Sequence, residues 1–155
     1  MRVMTLNCNG VRAAARKGFF DWLPTVNIDV VCLQETKAQI DQLSDPIFHP
    51  EEFDCHYYDA EKKGYSGTAI FCRKTPDKIS RGLGFEIADT EGRYIQADFG
   101  DLSVASLYLP SGSSSEERLQ RKYRFMDDYK KHMEKLSKSG RQYIICGDWN
   151  ICHKE

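Results

Sequence analysis

Four short segments put acidic or amide side chains directly behind apolar runs: Leu6-Asn7-Cys8-Asn9-Gly10, Leu33-Gln34-Glu35-Thr36-Lys37, Leu107-Tyr108-Leu109-Pro110-Ser111-Gly112 and Cys146-Gly147-Asp148-Trp149-Asn150. Such apolar runs are strand candidates, and a rigid sheet often presents catalytic or ligand-contacting groups on the loops that leave it. If these strands are neighbours, Asn7, Glu35, Tyr108, Asp148 and Asn150 share one rim. That set suits metal-assisted phosphoryl chemistry. A carboxylate such as Glu35 can hold Mg²⁺, which takes hard oxygen ligands and keeps several waters. Asp148 could take a proton from an attacking water. Asn7 and Asn150 can hydrogen-bond phosphate oxygens without adding repulsive charge, and the Tyr108 phenol can act where charge builds. Taken singly, each has a plainer role: a solvated loop acid, a Gly-Asp turn, a tyrosine packed in the core.

The elements that must position these groups alternate short apolar runs with helical ones. Val3–Asn7 reads as a strand, and Gly10 opens a helical stretch with apolar spacing at Val11, Ala15, Trp22 and Val26, disturbed near its end by Pro24. Residues 28–34 form a β-branched run of the kind expected for a strand buried on both faces. A polar segment over 38–52 leads to strand candidates at 53–59 and 68–73, with a turn over Gly64–Gly67 between them. Runs 93–99 and 102–109 flank Gly100-Asp101, a tight hairpin. The clearest helix follows. Ser113 and Ser114 each have a glutamate three residues on, a capping-box arrangement. Leu119, Tyr123, Met126, Met133 and Leu136 recur at helical spacing as a core stripe, and Gly140 ends the helix. A last strand over 142–146 leads into Gly147. The pattern predicts a mixed α/β (α+β) layout with hairpin-linked, largely antiparallel sheets and helices on the outer faces.

The 155 residues suffice for one domain, and 41% hydrophobic with 29% charged residues excludes wholesale disorder. No stretch has the length and apolarity of a signal peptide or membrane span, so a soluble, cytoplasmic protein with no membrane partner is expected. The six cysteines include no CxxC pair. Cys8, Cys32, Cys72 and Cys146 lie in or beside apolar runs, which predicts reduced structural thiols. A net charge of −1 does not announce a nucleic-acid binder, but basic residues cluster locally at Arg12, Arg16 and Lys17 and again at Arg118, Arg121, Lys122 and Arg124. These read either as solvated helix faces or as parts of a locally positive groove.

The wording of the segments goes further. LNCNGVRAAARKGFFDWL, DVVCLQETK, KKGYSGTAIFCR, EGRYIQADFG, LYLPSGSSSEERLQRKYRFMDD and ICGDWNICHKE occur in order along the whole chain. Together they resemble the exonuclease III / class II abasic-site (AP) endonuclease family of the endonuclease/exonuclease/phosphatase superfamily, in particular a bacterial branch whose loop reads YLPSG. The resemblance implies the N-terminal portion of a four-layer α/β sandwich. It also implies a Mg²⁺-dependent (alternatively Mn²⁺-dependent) DNA phosphodiesterase of base-excision repair. Such an enzyme cuts double-stranded DNA 5′ to abasic sites and trims 3′ ends. Glu35 of LQETK would be the principal metal ligand, with Asn9 where some relatives place an auxiliary aspartate. Asn7 would orient active-site groups, Tyr108 would contact the scissile phosphate, Asp148 would align or deprotonate the water and Asn150 would bind a phosphate oxygen. Arg12, Tyr65 of the Gly64–Gly67 loop and Ser111, in a loop expected to wedge into DNA, would contact the duplex.

The resemblance also implies a second half, with a later aspartate and an Asp-His pair, that lies beyond Glu155. Residues 1–155 are therefore expected to be an incomplete domain of impaired activity. An uncovered inner sheet face is expected to drive self-association or binding of the missing portion. His49, His56, His132 and His153 are read as structural or solvated. Two alternatives stay open: a non-catalytic DNA-binding or interaction fragment, and a superfamily phosphodiesterase acting on lipid phosphoesters.

Overall fold

The computed structural model describes residues 1–151; His153 lies outside them. Its eight strands are β1 (Val3–Asn7), β2 (Val30–Gln34), β3 (Asp54–Tyr58), β4 (Thr68–Cys72), β5 (Lys78–Arg81), β6 (Tyr94–Phe99), β7 (Leu102–Tyr108) and β8 (Gln142–Asp148). Helices α1 (Val11–Arg16), α2 (Phe19–Trp22), α3 (Glu86–Thr90) and α4 (Glu116–Ser137) lie between them. One sheet has the order β1-β2-β4-β3 and the other β5-β6-β7-β8. Each carries one parallel pair, β1 with β2 and β7 with β8, and is otherwise antiparallel.

Side-chain alternation builds four layers from these sheets. Val30, Cys32, Ile70 and Cys72 of the first sheet meet Ile95, Ala97 and Val104 of the second, all buried. The alternate residues Val31, Leu33, Ala69 and Phe71 face outward onto Val11, Phe19, Phe20 and Leu23 of the α1–α2 region. On the far side Tyr94, Ala105 and Leu107 pack against Phe125 and Tyr129 of α4. β2 is buried at every position because both its faces are covered, as its unbroken apolar run predicts. The mixed α/β expectation and the layered arrangement are both met.

Several local readings are corrected. The stretch from Gly10 is not one helix: Gly18 adopts a left-handed φ of 84° and breaks it into α1 and α2. Neither Ser113 nor Ser114 caps α4. Ser115 does, its hydroxyl accepting from Arg118 N at 3.2 Å, while Glu116 and Glu117 favour the positive end of the helix dipole. The inward face of α4 centres on Phe125 and Tyr129, and Tyr123 and Met133 point to solvent. Of the stripe expected from the sequence, Met126 does pack against that core and Leu119 and Leu136 are half-buried, but its centre is Phe125 and Tyr129, which follow helical spacing equally well. β5 and α3 had no expected counterpart, being short and weakly patterned. The central strands cover one another's inner faces, while at the edges Thr5 of β1 and Ile144 of β8, both on that layer, are exposed. Exposure of large apolar side chains on the sheets is confined to the edge strands, at Leu6 of β1 (37%) and Ile144 of β8 (36%).

Candidate active site

The polar groups lie where the inter-sheet layer changes character. Behind the apolar layer, Thr5 Oγ1 donates to Gln34 Oε1 at 3.2 Å, Gln34 Nε2 donates to Ser106 Oγ at 2.8 Å, and Ser106 Oγ donates to the Leu33 carbonyl at 2.9 Å. The last two are buried and tie β2 to β7, while the first, part-buried, joins β1 to them. One residue further on, the strands end and the candidate groups begin.

On the first sheet, β1 and β2 pair in register from Val3↔Val30 to Asn7↔Gln34, so Asn7 and Glu35 leave the sheet side by side. Glu35 has a φ of 54°, as unusual for a non-glycine residue as those of Asn9 (45°), Lys37 (49°), Ser66 (47°) and Asn150 (48°). Backbone bonds hold the strained turn: Cys8 N to Gln34 O (3.0 Å), Gly10 N to Glu35 O (2.7 Å), Thr36 N to Gly67 O (3.1 Å) and Lys37 N to Ser66 O (2.9 Å). All five left-handed non-glycine residues among the described residues border this rim, and such outliers persist where the surrounding structure over-determines them.

On the second sheet, Tyr108 and Asp148 are register partners of the parallel β7–β8 pair. Gly147 makes that pairing close: a Cβ there would meet the Leu107 carbonyl oxygen at 2.0 Å. Beyond the strands Leu109 N donates to Asp148 O at 2.9 Å, Asn150 N donates to Asp148 Oδ1 at 2.9 Å, and Asn150 Nδ2 donates to Leu109 O at 2.7 Å. The Gly-Asp-Trp-Asn turn is therefore fixed by its own polar groups.

The two halves meet at Asn7. Its Nδ2 donates to Glu35 Oε1 at 2.7 Å and to Asp148 Oδ2 at 2.8 Å. The other Glu35 oxygen pairs with Lys37 Nζ at 2.7 Å. Burial pushes the Glu35 pKa up, but hydrogen bonds from Lys37, Asn7 and Tyr108 and the Lys37 charge outweigh it, so the carboxyl stays below the usual range. Tyr108 is pushed up, first by burial and then by the Glu35 charge, so it stays a protonated donor. Two carboxylates held on one amide form an acidic pair into which a hard divalent cation fits, since Mg²⁺ commonly takes one or two carboxylates and fills its remaining positions with water or phosphate oxygens. No cluster of three or more acidic, histidine or cysteine ligands occurs among the described residues.

The sequence-predicted residues do not all converge. Asn7, Glu35, Tyr108, Asp148 and Asn150 do. Asn9 turns its side-chain oxygen to Lys37 Nζ. Arg12 is exposed on α1 and shares a shallow basic depression with Arg16 and Lys37. Tyr65 and Ser111 line a separate cavity of about 320 Å³ beside Tyr108, together with Lys62, Arg118 and Arg121. His49 bonds to the Leu43 carbonyl, His56 pairs with Asp54, and His132 stacks on Tyr129. Sequence reasoning missed Lys37, Glu91 and the buried Arg93, and it flagged Arg121 only as one of a basic cluster and not as the partner of Glu91. Lys37 was signalled only by its place two residues after Glu35, and Arg93 only by a charge at the head of an apolar run.

The profile of the Endonuclease/Exonuclease/phosphatase family matches residues 4–155. An exodeoxyribonuclease of Bacillus subtilis is 35% identical over 156 residues, covering 100% of this chain and 60% of its own length. The DNA repair nuclease APEX1 of Danio rerio is 32% identical, with 100% of this chain and 50% of the relative covered. The chain thus spans about half to three fifths of these two relatives. An AP endonuclease from Archaeoglobus fulgidus superposes with a TM-score of 0.84 at 26% identity, covering 99% of this chain and 59% of that structure. The catalytic domain of Xenopus laevis APE2 superposes at 0.83 with 28% identity, covering 99% and 60%.

Proposed function

The chain belongs to the Endonuclease/Exonuclease/phosphatase family, and from that premise we propose that it carries part of the active site of a Mg²⁺-dependent DNA phosphodiesterase. Its substrates would be double-stranded DNA at abasic sites and at 3′ ends, a reading supported by relatives named as an exodeoxyribonuclease, a DNA repair nuclease and an AP endonuclease. The observation that supports this most directly is the convergence of Glu35 and Asp148, from different sheets, on the one amide of Asn7. In a cytoplasmic location, which we propose for it, Cys8, Cys32, Cys55, Cys72 and Cys146, none of them bridged in the structure, would stay reduced.

In this reading each side chain has one task. Glu35, kept ionised by Lys37, is the carboxylate that holds the cation. Bound there, the cation supplies positive charge to the phosphoryl oxygens, a role Mn²⁺ can also fill. Asp148 aligns the attacking water and takes its proton, its carboxylate already oriented by Asn7 and by the Asn150 backbone. Tyr108, held protonated, turns its one hydroxyl hydrogen from Glu35 to a non-bridging oxygen of the scissile phosphate. Asn150 spends one amide hydrogen on Leu109 O and has a second to offer a phosphate oxygen. Asn7 keeps the two acids at a fixed separation. Arg12 on α1, and Tyr65 and Ser111 beside Tyr108, would contact the DNA backbone on either side.

The test is nicking of a duplex bearing one abasic site by the protein at its full natural length, with Mg²⁺, with Mn²⁺ and with EDTA. Metal-dependent cleavage on the 5′ side of the lesion, lost in Glu35→Ala, is expected. Cleavage that survives EDTA or the Glu35 substitution would overturn the reading. Tight DNA binding without turnover would leave the alternative of a non-catalytic DNA-binding module.

A further inference from the structure

Arg93 is a charged side chain only 1% exposed, and its surroundings account for every edge of the guanidinium. Nε donates to Glu91 Oε2 at 2.7 Å, Nη1 to the Tyr108 carbonyl at 2.9 Å and Nη2 to the Tyr65 hydroxyl at 3.1 Å. Its plane lies over the Tyr108 ring, with the guanidinium carbon 4.6 Å from the centroid. The backbones reciprocate, Tyr108 N donating to Arg93 O at 2.9 Å. Tyr108 is therefore gripped by one residue at its amide, its carbonyl and its ring face.

The grip is itself anchored. Glu91 takes Arg93 on one oxygen and receives both terminal nitrogens of Arg121, which reaches in from α4. A buried charge survives only when paired and hydrogen-bonded, and this one is paired through a carboxylate that a second cation holds in place. A guanidinium with each of its three nitrogens bonded in a different direction has little rotational freedom. Lysine could not reproduce it, because one ammonium cannot both stack on the ring and bond in three fixed directions.

We propose that Arg93 is the positioning residue of Tyr108, fixing the ring from behind so that its hydroxyl meets the scissile phosphate, with Glu91 and Arg121 tying that placement to α4. The proposal rests on the phosphodiesterase reading for its kinetic consequence and on the structure alone for its mechanical one. Arg93 itself touches no reacting atom. Its effect passes through Tyr108, which separates it from a residue that merely stabilises the fold.

A double-mutant cycle tests this in the protein at its full natural length. Tyr108→Phe should lower kcat for abasic-site nicking about 10²-fold. Arg93→Gln should lower kcat about tenfold or more with KM changed little, and should add almost nothing once Tyr108 is phenylalanine. An equal kcat loss in both backgrounds would overturn the proposal. Glu91→Gln, which loosens Arg93 without emptying its site, repeats the cycle should Arg93→Gln fold poorly. A readout without turnover keeps the two readings apart: 3-fluorotyrosine at position 108 should give a ¹⁹F resonance that shifts and broadens in either variant. An unmoved resonance refutes the grip whatever the enzyme does. A resonance that moves in the variants, together with an unaltered protein that fails to nick, upholds the grip and refutes the phosphodiesterase reading instead.

Discussion

Asn7 and Asp148, 141 residues apart in the chain, are joined by a 2.8 Å hydrogen bond across the gap between the two sheets. The same amide nitrogen holds Glu35 at 2.7 Å. A neutral donor between two carboxylates fixes their separation and adds no charge, so the pair keeps its joint pull on a cation. Replacing Asn7 by alanine should leave both acids in place but unbridged. We expect nicking to fall about 10²-fold, the scale for losing one preorganised polar contact at a reacting centre. Titration with Mn²⁺, followed by electron paramagnetic resonance, should still show binding, more weakly than in the unaltered protein. Unchanged nicking would mean that the bridge has no catalytic consequence.

Glu35→Gln is the sharper change. It keeps the hydrogen bond to Asn7 but removes the charge on which Lys37 and the cation act. Mn²⁺ affinity and nicking should fall together, activity by about 10³-fold or more. Loss of activity at undiminished Mn²⁺ affinity would place the ion elsewhere.

Gly147→Ala should damage the site through the backbone. The added Cβ would sit 2.0 Å from the Leu107 carbonyl oxygen, so β8 must move off β7 and carry Asp148 away from Tyr108. Overpacking of this sort costs about 1–3 kcal/mol. A lowered melting temperature and a fall in kcat larger than the stability loss explains are expected. A variant that melts and nicks like the parent would show that the strands can part freely.

Glu91 sets the behaviour in acid. Burial pushes its pKa up, but Arg121 and Arg93 more than reverse this, so the folded value is depressed. The stabilisation is full above the ordinary glutamate value of about 4.3 and is lost as pH falls through the depressed one. Glu91→Gln should therefore melt lower at pH 7, by about 3–5 kcal/mol for a broken buried pair, and show a flatter decline below about pH 4.5. Thermal melts between pH 3 and pH 7 give both numbers. Parallel acid limbs for variant and parent would remove Glu91 from the account.

Arg12 should contribute to affinity and not to chemistry. Its replacement by glutamine should reduce the slope of log K against log salt by about 0.9 for duplex DNA, one phosphate contact fewer. Lys131→Gln, on the exposed part of α4 where Lys131 pairs with Asp128, should leave the slope alone. Equal slopes for Arg12→Gln and the unaltered protein would take α1 out of the DNA interface.

Much of this site could be read before any coordinates existed, for a physical reason. Strand ends are marked twice in the sequence, by where an apolar run stops and by the polar group that follows it, so Glu35, Tyr108 and Asp148 were visible as a set. The path from sequence failed where the determinant was another part of the chain. Nothing near Arg93 announces a buried guanidinium, because its three acceptors come from residues 65, 91 and 108. Tyr123 and Met133 read as well as core positions as Phe125 and Tyr129 do, and only the seating of α4 on Tyr94 and Leu107 decides between them. The turn at Gly18 was hidden because helical spacing continues past it.

The hydrogen-bonded chain that runs from Thr5 into the buried Gln34 and Ser106 has a mechanical meaning. Apolar surfaces resist being pulled apart but are indifferent to sliding, since the hydrophobic effect has no direction. Glu35 rides on one slab and Asp148 on the other, so a lateral slip would misalign the acids without exposing any apolar surface. Directional bonds from Gln34 across to Ser106 act as a dowel against that shear, and the distance between the acids is set by the pin and not by the grease around it.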